Sequence, residues 1–175
     1  MDYQENPYYH GHPMIHSYYI VGEIGEPELY LDLYTLLRTA TNNDVINLYI
    51  NSVGGLLSTT CQIINAINDS CAEVITYADG DCASAGSLLL FSGHKIVINE
   101  HCQVLMHDSS GGVGDGKANE MAKSAAANAE QTKRLYHSVY GKYFTKAQVN
   151  KILAGHDKYL LSDELKKIIG GNIGE

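Results

Sequence analysis

The sequence predicts an α/β domain built on a largely parallel sheet. Short β-rich runs alternate with stretches whose leucines and isoleucines recur at helical spacing. Two turns rich in small residues, 51–55 and 80–86, each follow a strand-like run. A length of 175 residues allows one core of ordinary size and is too short for two full α/β domains. Strands and helices alternating at these lengths call for right-handed βαβ crossovers that put helices on the faces of the sheet. Functional loops then lie beyond the carboxyl ends of the strands, where both turns fall.

Residues 1–16 carry Tyr3, Tyr8 and Tyr9, with Pro7, Gly11 and Pro13 breaking any regular element, and read as an amino-terminal arm. The folded domain is expected over 17–175. Residues 18–21 are a strand, and 28–39 place Leu29, Leu33, Leu36 and Leu37 at helical spacing. A strand over 45–50, the turn 51–55 and a helix over 56–68, marked by Ile63, Ile64 and Ile67, repeat the unit. Residues 73–78 form a third strand, followed by the turn 80–86 and a short apolar helix through Leu90. Two more strands are predicted over 95–98 and 103–107. Residues 109–116 are nearly all small and read as a glycine-rich ribbon. A long helix over 117–140 then has only the narrow stripe Met121, Ala125, Ala129, Leu135 and Val139, too little apolar surface to hold it without a second element or subunit. Thr145 caps a helix running to Leu153, and a last one begins at Ser162 and ends at Gly170 and Gly171.

Composition removes several function classes. Twelve Lys and Arg against twenty Asp and Glu leave a net charge of −8, the wrong sign for a nucleic-acid surface. No apolar run reaches the length of a membrane span, and no secretory leader opens the chain. Cys61, Cys71, Cys82 and Cys102 form neither a metal-type pair nor a dense disulfide pattern, so buried free thiols in a cytoplasmic protein are expected. His10, His12 and His16 have no Cys or carboxylate to complete a metal set, and neither a metal nor a cofactor is expected. The run 111–118, Gly-Gly-Val-Gly-Asp-Gly-Lys-Ala, lacks the hydroxyl that ends a phosphate-binding loop, and its Asp would repel phosphate.

Ser84 stands at a strand-to-helix turn between Ala83 and Ala85, with Gly86 allowing close approach. A serine there projects its Oγ from a sharp bend while N–H groups of the new helix face a developing oxyanion. Cys82 occupies the place of the first glycine of a hydrolase elbow. His107 ends a strand, and alternation puts Asp108 on the opposite face, so a distant carboxylate is needed to orient the imidazole. Asp157, between His156 and the apolar Tyr159-Leu160-Leu161, is the candidate, expected as a buried carboxylate. Gly54 and Gly55 would let a backbone N–H approach substrate closely.

Read together, these segments resemble the ClpP family of Clp protease proteolytic subunits, over about residues 17–173. Leu48-Tyr49-Ile50-Asn51-Ser52-Val53-Gly54-Gly55 is similar to the family's Tyr-Ile-Asn-Ser-Pro-Gly-Gly segment, with Val53 in place of proline. Residues 80–86 resemble its nucleophile turn, Val104-Leu105-Met106-His107 its histidine strand, and 157–164 its Asp-x-Phe-Leu-Ser-Ala-x-Glu stretch. The resemblance implies a ClpP/crotonase-like fold of repeated ββα units with a protruding handle formed by the ribbon and the long helix. It implies a serine endopeptidase with Ser84 as nucleophile, His107 as base then acid, Asp157 as orienter, and the N–H groups of Gly55 and Ala85 as the oxyanion hole. It further implies peptide or unfolded-protein substrates, a homo-oligomer of two stacked seven-membered rings, and an ATP-driven unfoldase or related ClpP subunits as partners.

Two departures stand out. Few residues precede the first strand, so pore gating and unfoldase docking are expected to differ, and His156 stands where the family commonly has an arginine used between rings. These motivate a second expectation, a structural or regulatory subunit that modulates a related peptidase. A third, the crotonase-like acyl-CoA class, shares the general architecture but directs its oxyanion hole at thioesters.

Overall fold

The computed structural model describes residues 13–109 and 117–170. Strands β1 (Ile15–Ile24), β2 (Val45–Gly55) and β3 (Glu73–Ala83) lie side by side in parallel. Helices α1 (Leu31–Thr39) and α2 (Leu57–Asp69) form the crossovers between them. β3 is long enough to serve two neighbours. Its first half, Ile75 to Ala78, pairs in parallel with β4 (Lys95–Ile98), and its last residues, Asp81 to Ala83, pair in parallel with β5 (Gln103–Met106). The chain then runs through α4 (Ala118–Val139) and α5 (Lys146–Leu153) to β6 (Lys158–Leu161), which closes the edge antiparallel to β5, and ends in α6 (Ser162–Gly170).

The strands alternate strictly, with Ile46, Leu48 and Ile50 of β2 and Val74, Thr76 and Ala78 of β3 fully buried. Against them pack Leu33 and Leu37 of α1, Ile63 and Ile67 of α2, and a short helix α3 (Ala85–Leu90) whose six residues are all buried. The expectation of helices on both faces fails over β1–β3. Three neighbouring strands laid down in one direction by right-handed crossovers bring every crossover helix to the same side. The other face carries Tyr19, Tyr49 and Tyr77 in register across three strands, their rings stacked at 4.9 and 4.5 Å.

Other differences from the sequence reading are local. The helix expected over 28–39 opens with a 3-10 turn, Pro27–Tyr30, whose tighter winding rotates Leu29 out to 70% exposure. The strand phase of β2 and β3 continues through segments read as turns, because each finds a partner strand as far as Gly55 and Ala83. β6 was read as core-seeking chain after a loop. Only Leu160 of its apolar residues is buried, since an edge strand has one covered face. Of the cysteines, all free, Cys82 and Cys102 are buried, but Cys61 is half-buried and Cys71 exposed.

Thr145 caps α5 as expected, in a reciprocal capping box with Gln148. Gly155, at φ +85°, ends that helix, with its N–H on the Ile152 carbonyl. In α4, residues 118–131 are exposed apart from half-buried Met121, and burial begins only at Thr132, Tyr136 and Val139. His10, His12, most of the glycine-rich ribbon and Gly171 lie outside the described residues; His16 lies in β1. No helix among the described residues is long and apolar enough to cross a membrane.

Candidate active site

Ser84 is the residue between β3 and α3, and its backbone is bent for the position. Its φ and ψ are 53° and −122°, and it is the only non-glycine residue at positive φ among the described residues. Such a conformation costs on the order of 1–3 kcal/mol and persists only where surrounding structure dictates it. The Ser84 N–H donates to the Leu105 carbonyl at 2.8 Å, and the Ser84 carbonyl accepts from the Ser87 N–H at 3.0 Å and the Ser87 hydroxyl at 2.6 Å. The Ser87 hydroxyl is in turn 2.7 Å from the phenol oxygen of Tyr140, which is fully buried and T-stacked on Phe91. Burial raises the Tyr140 phenol far above its ordinary value, keeping it neutral.

Gly54 presses on this turn from β2. The register slips by one residue between Gly22 and Glu23, leaving Val53 as an extra residue that places Gly54 opposite Glu23 and Gly55 opposite Ile24. The Ser52 hydroxyl pins the irregularity, donating to the Gly22 carbonyl at 2.6 Å and accepting from the Gly54 N–H at 3.1 Å. A Cβ on Gly54 would lie 2.7 Å from the Ser84 Cβ and 2.9 Å from the Ala83 carbonyl, and φ is +98° there. Only glycine fits. Gly55, at φ +150°, is as close to the Ile24 carbonyl, so both positions exclude a side chain.

A cavity of about 440 Å3 opens over this corner, at the carboxyl ends of β1, β2, β3 and β5. Ser84, Ala85, Gly54, Gly55 and His107 all line it, together with Leu56, Leu57, Leu88, Tyr136 and Glu23. Four of the five site residues expected from the sequence, Ser84, His107, Gly55 and Ala85, thus share one cleft. His107 is half-buried just past the end of β5, two residues beyond the carbonyl that holds Ser84. Its own carbonyl accepts from the Tyr136 hydroxyl at 2.8 Å, which ties the histidine to α4. Burial, with a smaller contribution from Asp108, pushes that phenol up to about 12.

The fifth residue stands apart. Asp157 is exposed, not buried as expected, and does not line the cavity. The antiparallel ladder of β5 and β6 ends with Met106 paired to Lys158, and His107 and Asp157 are the residues that follow and precede that pair. No hydrogen bond joins the two side chains among the described residues. Asp157 directly precedes the first residue of β6, the edge strand of the sheet.

Sequence reasoning missed Tyr136, Ser52 and Glu23. The first two act through contacts spanning 29 and 30 residues, invisible to any local pattern. Glu23 had a signal, since it follows Gly22 at the carboxyl end of a parallel strand, where functional loops gather.

Fold and cleft define an α/β protein whose site is built at the carboxyl ends of parallel strands around a strand-to-helix serine. Within that class the chain belongs to the Clp protease family, whose model matches residues 28–167. It is 36% identical over 105 residues to the ATP-dependent Clp protease proteolytic subunit 2 of Bifidobacterium longum, covering 53% of this chain and 51% of that protein. It is 34% identical over 125 residues to the ATP-dependent Clp protease proteolytic subunit 1 of Mycobacterium bovis and of Mycobacterium tuberculosis, covering 70% of this chain and 61% of theirs. The matched segments span about half to three-fifths of the length of these relatives.

Proposed function

We propose that the chain is the proteolytic subunit of a Clp-type peptidase, cleaving peptides and unfolded proteins through an acyl-enzyme on Ser84. The observation that carries this reading is the bent Ser84 turn, held at positive φ and opening into the same cleft as His107. Ser84 Oγ attacks the scissile carbonyl carbon as its proton passes to the His107 imidazole. The carbonyl oxygen, now negative, lies toward the N–H groups of Gly55 and Ala85. Collapse breaks the C–N bond, and the imidazolium gives its proton to the departing amine. Water then repeats the sequence on the ester, releasing the new carboxylate and restoring the Ser84 hydroxyl. Asp157, one register step past the β5–β6 ladder, is the carboxylate that orients His107.

Assembly completes the site in this reading. The exposed first two-thirds of α4 is a handle, with the ribbon before it, through which two seven-membered rings face one another and enclose a chamber. The peptidase domain, expected over 17–175, takes in the whole of β1 from Ile15, which shortens the arm expected over 1–16; an unfoldase of the ATP-driven class or related subunits are its partners, in a reducing cytoplasm. The exposure of Asp157, without a bond to His107, favours the second reading, a poorly active structural or regulatory subunit.

Labelling with a fluorophosphonate serine probe, followed by intact mass with Ser84→Ala as control and light scattering alongside, separates the two. A single adduct lost in Ser84→Ala, in a species of about fourteen subunits, is the expected result. An assembled species that takes no label gives the ground to the regulatory subunit.

A further inference from the structure

We propose that Glu23 makes the cleft beside Ser84 selective for peptides with a basic side chain next to the scissile bond. This rests on the peptidase reading and names its substrate class. Among the described residues lining the cavity, Glu23 is the only carboxylate and His107 the only imidazole. It makes no ion pair or hydrogen bond through its carboxylate among the described residues. The carboxylate therefore has its full capacity for an incoming cation.

Its placement is built. The extra residue in β2 sets Glu23 directly across the ladder from Gly54, the residue pressed against Ser84. Adjacent strands lie about 4.8 Å apart, so the glutamate backbone stands one strand spacing from a residue in contact with the nucleophile. The same cavity is lined by the apolar Val53, Leu56, Leu57 and Leu88. A cavity with an apolar lining and one acid suits a side chain with a methylene stem and a cationic head, which is lysine or arginine. A guanidinium meets a carboxylate with paired, charge-assisted hydrogen bonds. A cleft with one sign of charge also raises the local concentration of the opposite sign.

The test compares fluorogenic peptides that differ only by arginine, citrulline or norleucine at each position flanking the cleaved bond, with the whole assembled protein. Citrulline keeps the shape of arginine and removes its charge. At one of these positions arginine should exceed citrulline in kcat/KM by roughly 5- to 10-fold, the ratio falling with added salt. Glu23→Gln should bring that ratio near one, and Glu23→Lys should invert it. Equal rates for arginine and citrulline at every position, or a ratio unmoved by Glu23→Gln, overturn the proposal while leaving the peptidase reading intact. If no peptide is cut, that reading fails instead, and fluorescence anisotropy of the same labelled pair decides the site. Tighter arginine binding lost in Glu23→Gln supports it, and equal affinity overturns it.

Discussion

Around Ser84 the backbone is held from three sides: by the Leu105 carbonyl of β5, by Gly54 of β2 and by Ser87 within its own helix. Around Asp157 there is a helix end, a glycine at positive φ and the start of an edge strand, and the carboxylate has no hydrogen-bond partner among the described residues. The two residues sit one strand apart in function and far apart in construction. The core of the domain fixes the Ser84 turn, because a strained backbone needs buried neighbours to dictate it. The proposed role of Asp157 asks only for a contact with His107, which the described residues do not make.

The largest way to break this contrast is Asp157→Asn. If the carboxylate orients His107 in the working assembly, kcat for peptide cleavage should fall by about 10² to 10⁴-fold, because an amide holds the wrong tautomer. The change should leave the denaturation midpoint where it was. A loss of less than about threefold in kcat would show that the open state of Asp157 is also its working state, and would remove it from the mechanism.

Gly54→Ala attacks the other side. A methyl group there must displace the Ser84 Cβ or the Ala83 carbonyl, at a backbone conformation that alanine resists. A loss of about 3 kcal/mol or more in urea unfolding is expected, with peptide turnover lost as well. An alanine accommodated at under about 1 kcal/mol would mean that the turn is softer than its packing implies.

The contrast also separates what could be read from the sequence and what could not. The turn at Ser84 was legible because its features are local: strand residues before it, small residues within it and an apolar helix after it. Thr145 was legible for the same reason, since a capping box is complete within four residues. β6 has four residues and pairs with a strand more than fifty positions away, so no periodicity could announce it. With β6 went the ladder that brings Asp157 to the end of β5, and its exposure could not be foreseen from apolar neighbours of which only Leu160 turns inward. The same limit applies to Leu29, placed on a helical stripe that the 3-10 turn does not continue.

Tyr140→Phe probes how firmly the Ser84 turn is held. The phenol oxygen is the partner of the Ser87 hydroxyl, which itself holds the Ser84 carbonyl. Phenylalanine keeps the T-shaped packing on Phe91 and deletes one buried hydrogen bond. The stability loss should be about 1–2 kcal/mol, smaller than for Gly54→Ala, because Ser87 keeps its bond to the Ser84 carbonyl. A neutral result would place the rigidity of the turn in β2 and β5 alone.

The smallest effect compares Asp157 with another carboxylate at the end of a chain turn. Asp44 accepts from the Thr41 N–H at 2.8 Å, the Met14 N–H at 3.0 Å and the Thr41 hydroxyl at 2.8 Å, joining the start of β1 to the turn before β2. These bonds, the Thr41 N–H first, lower its pKa from the ordinary carboxylate value. A carboxyl with a lowered folded-state pKa contributes stability that is present above its unfolded value and is lost as pH falls through the folded one. Wild type should therefore unfold at a higher urea concentration than Asp44→Asn at about pH 7, and the two midpoints should converge as the pH drops below the carboxylate range. Asp157 has none of these bonds among the described residues, so Asp157→Asn should leave the urea midpoint at about pH 7 where it was. A gap between wild type and Asp157→Asn that opens only in the assembled protein would show that assembly supplies a partner absent among the described residues.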